Sequence, residues 1–277
     1  MHYQKFQPCD QLKPFVECYF IWYSVSGPVK GLEIESPPNG FCSMVFIFGD
    51  PYFVQAKNKE QLPVPMQFIS GQHIYSYKLK LDGNIGIAGI VFKPAALHTI
   101  FGLPLFEYVE RRVDLYEIFH KEIIDRFKGQ LQAEPDQKER VRLLESFLLR
   151  QVHLRKPEPD FIDHAANFIV ENNGMLQVND LLKDSFMSRR TFERRFFQKV
   201  GLSPKYYARI RRISYLCNLI AGKRKVDWAK LFYECEYYDQ AHFIKDFEEF
   251  TGRSPKEYLK ENTELANYLE KPGTQAL

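Results

Sequence analysis

Residues 238–258 read YDQAHFIKDFEEFTGRSPKEY, and residues 187–207, MSRRTFERRFFQKVGLSPKYY, carry the same phrase 51 positions earlier. Phe192, Phe196, Gly201, Ser203, Pro204 and Tyr207 recur as Phe243, Phe247, Gly252, Ser254, Pro255 and Tyr258. Each position has a helical meaning. Ser188 and Asp239 bear oxygens that can accept from the unpaired amides of a first turn, so they predict helix N-caps. Two phenylalanines four residues apart share one helical face and seat it in a core. Glycine then closes the helix in a left-handed cap, and Ser-Pro opens the next one with Ser as cap and Pro in its first turn.

A short apolar stripe stands ahead of each copy, formed by Val178, Leu181 and Leu182 before the first and by Trp228, Leu231 and Phe232 before the second. A short helix, a tight turn and a capped second helix make a helix-turn-helix, whose second member can enter the DNA major groove. The same repeat would also suit a plain all-helical packing unit. Charge separates the two readings. From Ser188 to Lys225 there are twelve Lys or Arg against the single acid Glu193, although the whole chain carries only +3. A basic segment on a slightly acidic body is the footprint of a polyanion binder.

These residues, above all Tyr238 to Phe243 and Gly252-Arg253-Ser254-Pro255, resemble the DNA-binding domain of AraC/XylS-type bacterial transcription regulators. The resemblance runs from about Pro159 to Tyr258. It implies two helix-turn-helix units joined by a long helix, here Ser203 to Ala221, with both recognition helices addressing successive major grooves. It also implies double-stranded promoter DNA as partner, together with RNA polymerase. Tyr206, Ile210, Ile213, Leu216, Cys217 and Ile220 keep the helical spacing such a linker needs. The chain departs from the family pattern at Phe186 and Glu236, where the turn usually holds Gly, and at Phe232, where a small residue is usual. A side chain at a positive backbone angle there costs on the order of 1 kcal/mol.

With the phenylalanines inward, the first recognition helix presents Arg190, Glu193 and Arg194, and the second presents Gln240, His242 and Lys245. Arg can take guanine bidentately, Glu can accept from cytosine and Gln suits adenine. The family pattern places Arg190, Glu193, Arg194, Gln240 and Lys245 at positions that resemble its base-reading ones, while His242 fits a base contact and a surface imidazole equally. Phosphate contacts are expected from Arg189, Lys205 and Lys256 and from the helix starts at Ser203 and Ser254, because helix N-termini attract anions.

At 277 residues the chain has room for two domains. Pro157-Glu158-Pro159 is a natural seam before a helix starting near Asp160, dividing a sensor or dimerisation domain (1–156) from a DNA-binding domain (157–277). Residues 1–93 read as strands at Phe15–Ser24, Cys42–Phe48, Met66–Ser70, Tyr75–Leu81 and Ile85–Phe92. Pro37-Pro38-Asn39-Gly40 is turn chemistry, and Leu81-Asp82-Gly83-Asn84 suggests a hairpin. From Pro94 to residue 156 the spacing is helical: Ala95–Phe101, Leu115–Phe127 and Glu139–Leu154, the last able to pair with its copy in a homodimer or to pack on the sheet. The fold class is α+β, an antiparallel sandwich or barrel with trailing helices followed by an all-α domain. The N-terminal half loosely resembles the cupin-like sensor of the same family. Such a barrel could enclose a small-molecule effector against Tyr19, Trp22, Phe46 and Phe48, residues that otherwise serve as core.

Catalysis is not expected. His73, His98, His120 and His153 are scattered rather than clustered as metal ligands, so neither metal nor cofactor is anticipated. Five cysteines with no C-x-x-C pair suit reduced intracellular thiols. No signal sequence or membrane-length apolar run is evident, which predicts a cytoplasmic protein without membrane contact. The expectation is a sequence-specific transcription regulator. The alternatives are a barrel enzyme or small-molecule-binding protein carrying a DNA-binding tail, and an RNA-binding adaptor, which the core-facing aromatics disfavour.

Overall fold

The computed structural model describes residues 1–56, 59–182, 187–223 and 225–260, with the backbone of Thr274–Ala276. The N-terminal part is built from β1 (His2–Gln7), β2 (Val16–Tyr23), β3 (Val29–Ser36), β4 (Cys42–Ile47), β5 (Phe53–Ala56) and β6 (Leu62–Pro63). It continues with β7 (Gln67–Ser70), β8 (Tyr77–Gly83), β9 (Gly86–Phe92) and β10 (Arg112–Asp114). One sheet has the order β10-β7-β4-β9-β2-β1, and β11 (Thr274–Ala276) adds to β1 in parallel; the other has the order β3-β8-β5-β6. All remaining pairings are antiparallel.

The Leu81-Asp82-Gly83-Asn84 turn is therefore not a hairpin. It carries the chain from β8 in the smaller sheet to β9 in the larger one, since β8 pairs with β3 and β5 while β9 pairs with β2 and β4. The local turn chemistry was legible, but which strands pair across it is decided by both sheets' apolar faces.

Side-chain alternation makes the larger sheet two-faced. Tyr19, Met44, Phe46, Ile69 and Ile90 share a core with helices α2 (Lys121–Ala133) and α3 (Gln137–Arg155), where Phe46 meets Phe127 edge-on at 5.0 Å. Trp22, Val45, Ile47, Phe68 and Ile87 point the other way and pack with Ile34, Leu79 and Leu81 of the smaller sheet. Helix α3 thus covers its own chain's sheet through Val141, Leu144, Phe147 and Leu148. A short α1 (Ala96–Phe101) leads out of β9. The stretch expected to be helical from Leu115 begins instead as a single 3-10 turn, Leu115–Glu117, capped by Asp114.

The C-terminal part opens with α4 (Phe161–Glu171), fixed by a capping box between Asp160 and Asp163. Recognition helix α5 (Arg189–Val200), linker helix α6 (Pro204–Ile220), α7 (Trp228–Glu234), α8 (Gln240–Thr251) and α9 (Pro255–Lys260) follow. Ser188 accepts from Thr191 N and Asp239 from His242 N, while Gly201 and Gly252 close their helices with left-handed backbones. Ahead of α5 only a 3-10 turn, Asp180–Leu182, is described, and Phe186 lies outside the described residues. Glu236 has φ 52°, so the second unit's turn keeps the left-handed conformation without its glycine.

The two parts are docked together. Phe106 stacks on Phe197 at 5.3 Å, and Lys199 Nζ reaches Thr99 Oγ1 at 3.1 Å. Ser76 N donates to Phe250 O at 3.0 Å, and Arg253 pairs with Glu35. The Pro37–Gly40 turn meets the linker helix, where Tyr207 Oη donates to Gly40 O at 2.8 Å and Arg211 donates to Asn39 O. Gly201 is needed twice over: its φ is 91°, and a Cβ there would stand 2.8 Å from Leu105 O.

Candidate functional site

In α5 the core takes Phe192, Phe196, Lys199 and Val200, leaving Arg190 and Arg194 exposed and Glu193 half-buried. In α8 the core takes Phe243, Asp246, Phe247 and Phe250, leaving Gln240, His242 and Lys245 exposed. Both helices thus offer polar side chains near a capped N-terminus, the end that reaches base edges in a major groove.

The linker helix holds α8 in place. Arg209 holds Asp246 at 2.7 Å and Glu249 at 2.5 Å, and Tyr206 Oη donates to Glu249 at 2.9 Å. Burial opposes the Arg209 charge, but the hydrogen bonds it donates to Asp246 and Glu249 outweigh it and raise its pKa above the ordinary value. Between α5, α6 and α8 runs a groove of about 410 Å³, bordered by Arg189, Lys205, Arg209, Arg212 and His242.

The basic segment is not a uniform patch. Arg195 pairs with Asp160 at 2.6 Å, and Lys199 pairs with Asp160 at 3.0 Å and Asp163 at 2.6 Å. Burial alone would raise the Asp160 pKa, yet hydrogen bonds from Lys199 and Asp163 hold it down to about 2. Arg209, Arg211 and Arg212 bond to acids or carbonyls within the protein. Five of the cations therefore tie the molecule together. Among the described residues, Arg190, Arg194 and Lys205 make no ion pair and face outward, as do Lys245 and Lys256.

The remaining expected contacts sit as follows. Arg189 donates to Glu193 at 2.9 Å along their own helix, an exposed pair of the kind worth a few tenths of a kcal/mol and readily exchanged. His242 lies 3.7 Å from Asp246 and edge-on to Tyr237 at 5.3 Å. Ser203 caps α6 with its hydroxyl beside exposed Lys205. At Ser254 the backbone amide donates to Glu257 at 2.9 Å, so that helix start already holds a carboxylate of its own.

A second site lies between the two sheets, a cavity of about 470 Å³. Trp22 lines it. Tyr19 and Phe46 do not, because they occupy the opposite face of the larger sheet, and Phe48 sits at the helix side, where Arg140 stacks 3.9 Å from its ring centroid. The register explains the lining. Arg112, Ser70, Ser43, Val91 and Cys18 are successive cross-strand partners and all face the cavity. The linker helix closes one end with Arg211, Ser214 and Asn218. Sequence reasoning passed over Arg112 and Arg211. The signal for Arg211 was present: it adjoins Ile210 on the buried face of α6, where a charge needs a reason.

Behind Ser70 stands a buried polar relay. Ser70 Oγ and His73 Nε2 are 2.8 Å apart, His73 Nδ1 is 3.6 Å from Glu110, and Glu110 accepts from Ile74 N and Tyr75 N. Burial and nearby Arg112 push the His73 pKa down against a partial pull from Glu110, which keeps the imidazole neutral. Nδ1–H then faces the carboxylate, and Nε2 accepts from Ser70.

Residues 181–261 match the family model of a helix-turn-helix domain, and residues 4–114 match that of a domain of unknown function (DUF6597). No curated protein matches the chain. Solved structures of ToxT from Vibrio cholerae are similar at low identity. One form is 12% identical with TM-score 0.45 over 87% of this chain and 98% of that one. Another, from strain O395, is 14% identical with TM-score 0.45 over 88% and 98%. A form bound to an unsaturated fatty acid is 12% identical with TM-score 0.43 over 85% and 95%. The class that the domain defines is a DNA-binding transcription regulator. Its C-terminal part is a helix-turn-helix domain of the AraC/XylS type, in keeping with the doubled phrase. No helix among the described residues is long and apolar enough to cross a membrane.

Proposed function

We propose that the chain binds promoter DNA through α5 and α8 in successive major grooves, and that the domain before the Pro157–Pro159 seam senses a small-molecule effector in the cavity between its sheets. The observation that carries this reading is the pair of capped helices of one design, α5 and α8, joined through one linker helix whose Arg209 anchors α8 by Asp246 and Glu249. Arg190 and Arg194 read bases in the first groove, and Gln240 and Lys245 in the second. His242, tethered to Asp246, contributes to the groove wall. Lys205, Lys256 and the Ser203 helix start hold phosphates, with Arg189 joining them once DNA separates it from Glu193. RNA polymerase contact and homodimer formation belong to the same proposal, as does a cytoplasmic location.

Capture of genomic DNA fragments by the full chain tests the proposal. A recurrent two-part site is expected, with half-sites about one helical turn apart. Arg194→Ala should cost roughly 1 to 3 kcal/mol at one base position and little elsewhere. Recovery of random DNA, or a uniform loss across all sequences, would defeat the base-reading assignment.

A further inference from the structure

Ser70, His73 and Glu110 stand in series. Ser70 Oγ lies 2.8 Å from His73 Nε2, and His73 Nδ1 lies 3.6 Å from a Glu110 carboxylate oxygen. A hydroxyl, an imidazole joined through its two opposite nitrogens and a carboxylate are, in that order, the parts of a serine hydrolase triad. A triad, unlike a metal centre, needs only one histidine.

Two backbone features hold the series in shape. Glu110 has φ 59°, a left-handed backbone that is strained for any residue with a side chain and that gathers at functional sites. Ile74 N and Tyr75 N donate to its carboxylate, and its own amide donates to Gln72 O at 2.9 Å. Gly71 N donates to Arg111 O at 3.0 Å, and a Cβ on Gly71 would stand 1.9 Å from Tyr108 O, so only glycine lets the two segments close on each other. Ser70 is 7% exposed and His73 6%, and burial together with Arg112 keeps the imidazole neutral, the form a general base needs.

The surroundings supply what the three residues lack. Ser70 lines the cavity of about 470 Å³ between the sheets. Arg112 is its directly opposed partner on β10, lines the same cavity and carries a buried Nη2 with no acceptor among the described residues. An unmatched buried donor beside a nucleophile suits the negative charge that develops on a carbonyl oxygen under attack. A purely structural serine–histidine pair gives that donor no task. Phe68, two residues before Ser70 on the same face of β7, and Val45, its partner on β4, form an apolar wall for an acyl chain.

We propose that Ser70, His73 and Glu110 hydrolyse a small carboxylic ester held in this cavity. Ser70 Oγ bonds to the ester carbonyl carbon as its proton passes to His73 Nε2, and the carbonyl electron pair moves onto the oxygen, where Arg112 Nη2 donates to it. Collapse breaks the bond to the alkoxy oxygen, which takes the proton from His73 and leaves as an alcohol. Water then attacks the acyl-Ser70 ester in the same way, its proton passing through His73 to Ser70 Oγ, and the acid departs. Glu110 is a positioning residue, holding the Nδ1–H tautomer throughout. The activity goes beyond sensing and requires neither DNA nor the recognition helices.

A small alkyl fluorophosphonate, which phosphonylates activated serines, tests the proposal on the full chain without DNA, with mass spectrometry to place the adduct. Modification of Ser70 is expected. With p-nitrophenyl butyrate a burst of about one p-nitrophenolate per chain should precede steady turnover. Ser70→Ala should lose both burst and adduct, and His73→Gln should slow both about a hundredfold or more. Arg112→Gln should slow turnover about tenfold or more. Glu110→Gln should lower kcat about tenfold or more with KM little changed, a split that a loosened cavity does not give. An unmodified Ser70 in the natural chain would overturn the proposal, and that result depends on no variant. Turnover by Ser70→Ala at the natural rate would overturn it equally. Because no DNA is present, these outcomes stand apart from those of the promoter experiment.

Discussion

The Arg211 guanidinium lies 4.5 Å from the centroid of the Phe41 ring, which stacks a cation of the linker helix on an aromatic of the barrel. The neighbouring residue makes room for it. Gly40 has φ 72°, and a Cβ there would stand 2.7 Å from Arg211 Cδ and 3.3 Å from Tyr207 Cε2.

Gly40→Ala should therefore destabilise the protein by about 1 to 2 kcal/mol, from the left-handed backbone alone, with displacement of Arg211 adding to it. A urea midpoint shifted downward at constant slope would show this. An unchanged midpoint would mean that the turn relaxes without cost.

Salt dependence should be shallower than the basic count suggests. Arg195, Lys199, Arg209, Arg211 and Arg212 are committed to internal partners. With seven of the twelve left for DNA, the slope of log affinity against log salt should be no steeper than roughly −6, not the roughly −11 that all twelve would give. Filter binding over a salt series measures it, and a slope of about −11 would show that the internal pairs open on DNA.

Acidification should weaken the fold through His73. Its folded pKa lies below the unfolded value of about 6.5, so the unfolded chain binds the proton more readily. Its contribution is fully present above pH 6.5 and falls away as pH drops through that value toward the folded pKa. Denaturation midpoints between pH 7.5 and about pH 5 should decline for the natural chain, and His73→Gln should flatten that decline. An equally steep decline in the variant would assign the effect to other groups.

Glu236→Gly should be stabilising, by up to about 1 kcal/mol, because φ is already 52° there and glycine adopts it without strain. The greater freedom of glycine in the unfolded chain offsets part of the gain. Thermal unfolding reads the difference, and a lower midpoint would mean that the Glu236 side chain contributes more than the strain removes.

The C-terminal architecture was legible because its signals are local. Ser188, Gly201, Asp239 and Gly252 each act within one turn of the residues they cap, so the phrase could be decoded without knowledge of anything distant. The strands of the larger sheet from Phe15 to Phe92 were legible for the same reason, as β-branched and aromatic runs. The short or charged strands were not: β3 carries Lys30, Glu33 and Glu35, and β10 is three residues long. The cavity was the least legible feature. Its lining depends on which residues of Arg112, Ser70 and Ser43 fall opposite one another, and register is a property of the assembled sheet. For Tyr19, Trp22 and Phe46 composition alone could not say which face each occupies, and a one-residue difference in parity sends Tyr19 to the helices and Trp22 to the cavity.

Gly201 closes a recognition helix and at the same time lies so near Leu105 that no side chain fits. The joint between the two halves is therefore keyed, not merely hinged at its prolines. A sensor transplanted from another regulator would have to reproduce the backbone path at Leu105 and the hydroxyl at Thr99 that meets Lys199, and a linker of suitable length would be no substitute. Grafting experiments on this scaffold should move the surface around Leu105 and Thr99 as one block with the barrel.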